Sequence, residues 1–398
     1  MTLFNFYHQS VDYGKRTQIL SNELARDCSV LHRQCYANFL FQNPKIFERL
    51  ESKKKFRLSW KFTIRICIKV FIHSLFRTFY LFNQARIANK NSLIKAWVDI
   101  NISEWQDSVE ILDCGVLVLP FPISIRRQWR FIKYLRRNNL NYTLYGYKYS
   151  LRTLLRFCIQ RTPKSLVELE VGAQDYYVSD VVSLGPTKLY VMDDVEFYSH
   201  YANSKLIERG FNILFSAHGI GRYSLHYNCT NYTFFNDAQH SFFDEFNFLR
   251  KFEIKFKSSG IYDRASILDF TSVCFISQLS KTQTREYNAI EKRVLEVIKR
   301  VCPDDVELIF KRHPNSRNLE CPEGYLELER LDEYKKTVLF LTLYSTAYYS
   351  FQDYGQTILI ETKELDSKNI FGNNERIVRE EELDTLFSTS EEVITKSF

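Results

Sequence analysis

VELIFKRHPNS (Val306–Ser316), followed by VLFLTLYSTAYYSF (Val338–Phe351), decides how the chain is read. Each piece is a short apolar run ending in polar turn residues, the pattern of a strand buried in a parallel sheet. The first strand end carries Lys311, Arg312 and His313, with Pro314 stopping the strand. The second carries Ser345 and Thr346 ahead of AYYSF, which can open a helix. In open α/β sheets ligands collect beyond the carboxyl ends of strands. Two such ends bearing cations and hydroxyls make a place for a phosphate. Singly, KRHP reads as a surface turn and Ser-Thr as a helix N-cap; together and in this order they favour the ligand.

Working outward, the same texture recurs. SVCFISQL (Ser272–Leu279) is a strand, Gln283–Val301 a helix, and GYLELE and QTILI are further strands. Upstream, GVLVLPFPIS (Gly115–Ser124) is a strand and turn, RRQWRFIKYLRRNN an amphipathic helix and NYTLYGYKYS a strand. LVELEV, DYYVSDVVSLG, TKLYVMDD and FNILFSAHG follow as further short apolar runs. Strands alternating with helices predict doubly wound, mostly parallel sheets. The 398 residues exceed what one core usually serves, so two domains are expected. The aromatic, charged stretch 236–265 is read as their connection. The division is then a helical basic extension over 1–110, an acceptor domain over 111–245 and a nucleotide-donor domain over 246–398. The last of these ends in a helix at about 379–387. Two Rossmann-type domains facing a cleft, with phosphate-friendly turns in the second, describe the GT-B architecture of glycosyltransferases.

Composition removes several classes. With 45% hydrophobic and 16% aromatic residues the chain is not disordered as a whole. Only 12 glycines stand against 33 Phe and 25 Tyr, and neither GxGxxG nor GxxxxGK[ST] occurs. Nine cysteines, odd in number, irregularly spaced and without a CxxC, suit reduced thiols of a cytoplasmic protein, not a disulfide framework or a zinc site. The N-terminal segment lacks a signal-peptide layout, and no apolar run is long enough to span a bilayer.

The net charge of +7 is unevenly placed: residues 51–100 alone hold +9. Arg57, Lys61, Arg65, Lys69, His73 and Arg77 recur every fourth residue among Ile and Phe. A helix over 57–79 that is both basic and apolar is a candidate for lying on an anionic membrane surface. It equally fits a core helix whose cations sit in solvent or pair with acids elsewhere. No nucleic-acid motif accompanies the stripe, so nucleic acid is not an expected partner.

Transfer of a sugar from a nucleotide donor needs a base for the acceptor hydroxyl and cations or hydroxyls for the departing phosphate. His313, Lys311, Arg312, Ser345 and Thr346 supply the second set. For the first, the strand Lys188–Met192 ends in Asp193 and Asp194, either a base or a helix N-cap with a solvated acid. His218, followed by Gly219 and Gly221, ends another strand. It is either a second catalytic histidine or a filler beneath a glycine turn, with Arg222 as an anion contact. No D-x-D triad occurs, which favours metal-independent chemistry with no cofactor beyond the donor.

An acidic pair, then His-Pro, then Ser-Thr, in this order, resembles the bacterial sialyltransferases and polysialyltransferases, GT-B enzymes using CMP-sialic acid. The resemblance implies that Asp193 or Asp194 is the acceptor base, that His313 faces the CMP phosphate, and that Ser345 and Thr346 bind it. Val195 departs from the family's Gly. A second resemblance is to CDP-glycerol glycerophosphotransferases, through His218-Gly219, the Lys311–Pro314 motif and Thr342–Thr346; Leu343 replaces their Asp and no Trp precedes His218. Capsule transferases using CMP-Kdo are a third relative of this type. These resemblances cover about 115–360. They imply an inverting transferase moving sialic acid or a related acidic sugar from a CMP donor to a cell-surface glycan, in the cytoplasm or on the membrane's inner face. The contrasting expectation is a membrane-bound scaffold without catalysis.

Overall fold

In the computed structural model the described residues are 11–53, 56–98, 102, 105, 113–120, 125–193, 195–217, 224–247, 253–256, 270–277, 285–312, 321–328, 338–343, 345, 348, 351, 355–365, 371–372 and 376–387. Four helices come first: α1 (Val11–Leu24), α2 (Val30–Gln42), α3 (Pro44–Lys53) and α4 (Trp60–Asn83). Next come β1 (Ser92–Ala96), β2 (Cys114–Val118), α5 (Ile125–Arg137), β3 (Asn141–Leu144), α6 (Leu151–Gln160), α7 (Pro163–Leu184) and β4 (Lys188–Val191). They are followed by α8 (Ser199–Ile207), β5 (Asn212–Ser216), β6 (Asn231–Phe234), α9 (Asp237–Asn247) and β7 (Glu253–Phe256). The remainder is β8 (Ser272–Ile276), α10 (Arg285–Val301), β9 (Glu307–Lys311), β10 (Leu326–Leu328), β11 (Val338–Thr342), β12 (Gln356–Glu361) and β13 (Ile377–Arg379). A 3-10 turn at Glu380–Glu382 then runs into helix over 383–387, as expected.

The strands form two parallel sheets, of order β3-β2-β1-β4-β5-β6-β7 and β10-β9-β8-β11-β12-β13. β2, β8 and β11 are buried at every residue, which is why they read as unbroken apolar runs. Both sheets begin in the middle, step outward twice, return beside the first strand and step outward the other way. This is the doubly wound α/β order, with one switch point between β1 and β4 and another between β8 and β11.

Three expectations are corrected. The helical reading of 1–110 fails at Ser92–Ala96, which is β1, a central strand of the first sheet. LVELEV and DYYVSDVVSLG are not strands but one helix, α7. Its buried Leu166, Leu169, Ala173, Tyr177, Val181 and Leu184 recur at helical spacing. Thr162 caps its start, Pro163 occupies the first turn and Gly185 ends it at φ 77°. Within the stretch read as a connection, α9 packs Phe242, Phe243 and Phe246 inward and β7 pairs with β6 in the first sheet.

The N-terminal helices are built into this first sheet. Asn38 of α2 donates to the backbone oxygen of His226 at 2.7 Å and accepts from the backbone N–H groups of Leu225 and His226. α4 lies against the chain leaving β3. Gly146 permits this, because a Cβ there would collide with the His73 carbonyl oxygen. Among the described residues no helix is long and apolar enough to cross a membrane.

Candidate functional site

At the first switch point β1 delivers Lys95, opposite the carboxyl end of β4. Lys95 is 1% exposed. Its ammonium donates to Asp193 Oδ2 at 2.7 Å, to Glu196 Oε2 at 2.6 Å and to Ser199 Oγ at 3.4 Å. Tyr227 donates its hydroxyl to the other Asp193 oxygen. Tyr198 and Ser199 donate to Glu196 at 2.7 and 2.9 Å. Burial alone would discharge the ammonium, but the Asp193 and Glu196 carboxylates outweigh it and Lys95 is held above its ordinary value. Burial pushes the Asp193 carboxyl up, Lys95 opposes that, and Glu196 adds to the rise.

A second ion pair flanks the first. Lys69 of α4 donates to Glu170 Oε1 at 2.8 Å, and Tyr149 to Glu170 Oε2 at 3.0 Å. Between the pairs lies His73, whose Nδ1 accepts the Tyr147 backbone N–H at 3.1 Å. Burial first, then Lys69 and Lys95, hold His73 well below its ordinary value, so it is neutral. The result is a closed polar knot of two ammoniums and three carboxylates set among tyrosines, aligned with the edge where ligands of such sheets bind.

The second switch point is hydroxyl-rich. Thr342 donates from Oγ1 to the Ile276 carbonyl at 3.2 Å, fastening the end of β11 to β8. The Ser277 N–H donates to the Lys311 carbonyl at 3.0 Å, fastening β8 to β9. Ser277 Oγ and the Tyr287 hydroxyl both donate to the buried Glu291 carboxylate. Ser345 is 5% exposed, and its carbonyl accepts the Tyr348 N–H at 2.9 Å in a turn. Lys311 is paired with Ile276 in register, and Leu341 with Phe275. The ends of β9 and β11 therefore stand two strand spacings, about 10 Å, apart.

Of the expected site residues, Asp193 sits at the first switch point, while Lys311, Arg312 and Ser345 sit around the second. Asp194, His218, Gly219, Gly221, Arg222, His313, Pro314 and Thr346 lie outside the described residues. The geometry bears on two of these residues. Asp193 is fully buried with one oxygen engaged by Lys95 and the other by Tyr227, so neither is open. Arg312 is ion-paired with Glu327 of β10, so part of its charge is already answered. The basic stripe is also divided. Arg57, Lys61 and Arg65 are exposed, but Lys69, His73 and Arg77 turn inward, Arg77 onto Asp180.

Lys95, Glu196, Lys69 with Glu170, and Ser277 were not foreseen. The signal for Lys95 was present: a single charge inside the apolar run SLIKAW, where a strand would have to bury it. Among the described residues no group of three or more His, Cys, Asp or Glu is placed to share a metal ion, and all nine cysteines are free. Comparison with protein-family models, curated proteins and solved structures finds no match.

Proposed function

We propose that the chain is a glycosyltransferase of GT-B type, moving sialic acid or a related acidic sugar from a CMP donor to a cell-surface glycan with inversion. One observation carries the reading: two parallel sheets share one doubly wound order, and polar groups meet at the switch point of each. The second sheet would hold the donor, with Ser345 and Lys311 beside the phosphate and His313 and Thr346 completing the set. The first would hold the acceptor. In the step itself the acceptor oxygen forms a bond to the anomeric carbon as the bond to the CMP phosphate oxygen breaks. CMP leaves with the electron pair and the acceptor proton passes to a base. With Asp193 closed by Lys95 and Tyr227, that base is Asp194 or, in a CDP-glycerol-type enzyme, His218. Such acceptors are assembled at membranes, and the reading includes a cytoplasmic, membrane-peripheral location.

A donor screen tests this. CMP-sialic acid, CMP-Kdo and CDP-glycerol are each offered with a cell-surface glycan acceptor, and product release and thermal shift are read together. The expected result is turnover with a CMP sugar and a raised Tm with CMP. No turnover with any donor and no shift with CMP would reject the reading in favour of a non-catalytic scaffold; turnover with CDP-glycerol alone would move it to polyol-phosphate transfer.

A further inference from the structure

α4 is built inside out. Its inward face carries Lys69, His73 and Arg77, which are satisfied by Glu170, the Tyr147 N–H and Asp180. Its outward face carries Trp60, Ile64, Ile68, Phe71, Leu75 and Phe79, spaced three or four apart and 48% to 64% exposed. The usual amphipathic helix does the opposite. α6 continues the ridge with Leu151, Leu155 and Ile159, 53% to 75% exposed. The two helices are neighbours. Cys67 and Cys158 approach to 3.7 Å, the Leu58 N–H donates to the Arg161 carbonyl, and the Arg161 guanidinium lies 4.2 Å from the Trp60 ring centre. Nine such side chains expose on the order of 1,000 Å² of apolar surface, beyond the few hundred usual on a soluble monomer.

We infer that the α4–α6 face docks in the plane of an anionic bilayer; this deepens the peripheral location proposed above and names its surface. Charge selects the occupant. Neither helix contains an Asp or Glu, and Arg57, Lys61, Arg65 and Arg152 are exposed around the ridge. A second copy would bring these cations against their own kind or against apolar side chains, with no acid on either helix to meet them. Anionic headgroups answer them while acyl chains cover the ridge. α4 has 24 residues, about 36 Å, and its charges at 61, 65, 69 and 77 forbid spanning, so it lies flat. The contact is thus the apolar ridge with its outer cations, not the stripe of every fourth residue. The opposite, inward face of α4 adjoins the first switch point. The Tyr147 ring lies 5.0 Å from the His73 ring and 5.8 Å from Lys95 Nζ.

Flotation of the full chain with phosphatidylcholine–phosphatidylglycerol vesicles, against phosphatidylcholine alone, tests the inference. The chain is expected to float with the anionic vesicles. Ile68→Gln/Leu75→Gln and, separately, Lys61→Gln/Arg65→Gln should each lower partitioning roughly tenfold or more at unchanged Tm. These positions are exposed, so the fold is retained. Three outcomes would overturn the inference: no flotation with anionic vesicles, equal flotation with both, or a solution dimer that Ile68→Gln/Leu75→Gln makes monomeric. Flotation uses neither donor nor acceptor. Its failure leaves the transferase reading standing, and loss of the transferase reading leaves it standing.

Discussion

Lys95 Nζ lies 2.7 Å from Asp193 Oδ2 inside the first sheet, with both side chains 1% exposed. A buried pair of this kind gains little over a well-packed apolar pair, but losing one partner strands the other charge. Lys95→Met is therefore expected to lower unfolding stability by about 3–5 kcal/mol. Adding Asp193→Asn should restore a large part of the loss. Urea unfolding of the two variants checks this, and a double variant no better than the single would show that Glu196, and not Asp193, is the charge that matters.

Gly146 marks where α4 and the chain after β3 touch. A Cβ would meet both the His73 carbonyl oxygen and, at 2.6 Å, the Arg77 nitrogen. Backbone cannot step aside as a flexible side chain can. Gly146→Ala is expected to cost about 1–3 kcal/mol or more and to loosen α4. Hydrogen exchange of α4 amides, rising well above that of α7, would register the loss; unchanged exchange would mean the contact can relax.

Much of the fold was legible because parallel strands buried on both faces announce themselves as apolar runs: β2, β8, β9 and β11 fall where the pattern put them. β1 escaped because Lys95 breaks its run, and a buried ammonium is expected only once its carboxylates are known to lie across the sheet. α7 was misread because its apolar spacing is interrupted by buried Glu170 and Gln174, so short windows resemble strands. In α4 the cations every fourth residue fit a membrane-facing stripe as well as a core helix. Partners 101 and 103 residues downstream, Glu170 and Asp180, turned Lys69 and Arg77 inward, and no local pattern carries that information.

A buried histidine pair predicts the acid limit of stability. The His200 and His226 rings stand 5.9 Å apart. His200 donates from Nε2 to Gln34 Oε1 at 2.9 Å, while His200 Nδ1 and His226 Nε2 have no hydrogen-bond partner among the described residues. Burial, then His226, pushes His200 down to about 3, and burial pushes His226 down to about 4, from 6.5. Between these values and 6.5 the unfolded chain binds more protons than the folded one. The stabilisation is therefore complete above pH 6.5 and is lost as pH falls toward 4, by on the order of a few kcal/mol. His226→Leu should flatten the slope of unfolding free energy against pH in that window. An unchanged slope would place the acid sensitivity elsewhere.

Ser345 offers the sharpest test of the proposed donor half of the site. It is 5% exposed, in the turn after β11, one strand from Ser277 and two from Lys311. A hydroxyl that meets the departing phosphate gains strength as negative charge develops there, so it should act on turnover more than on donor binding. Ser345→Ala is expected to lower kcat with the CMP donor by roughly 10- to 100-fold while KM changes little. Arg312→Gln should be milder, because Glu327 already holds much of that charge. If both variants raise KM at constant kcat, the turn binds the nucleotide evenly through the reaction. If neither variant matters, the phosphate lies elsewhere on the second sheet's carboxyl edge and the leaving-group role of Ser345 falls.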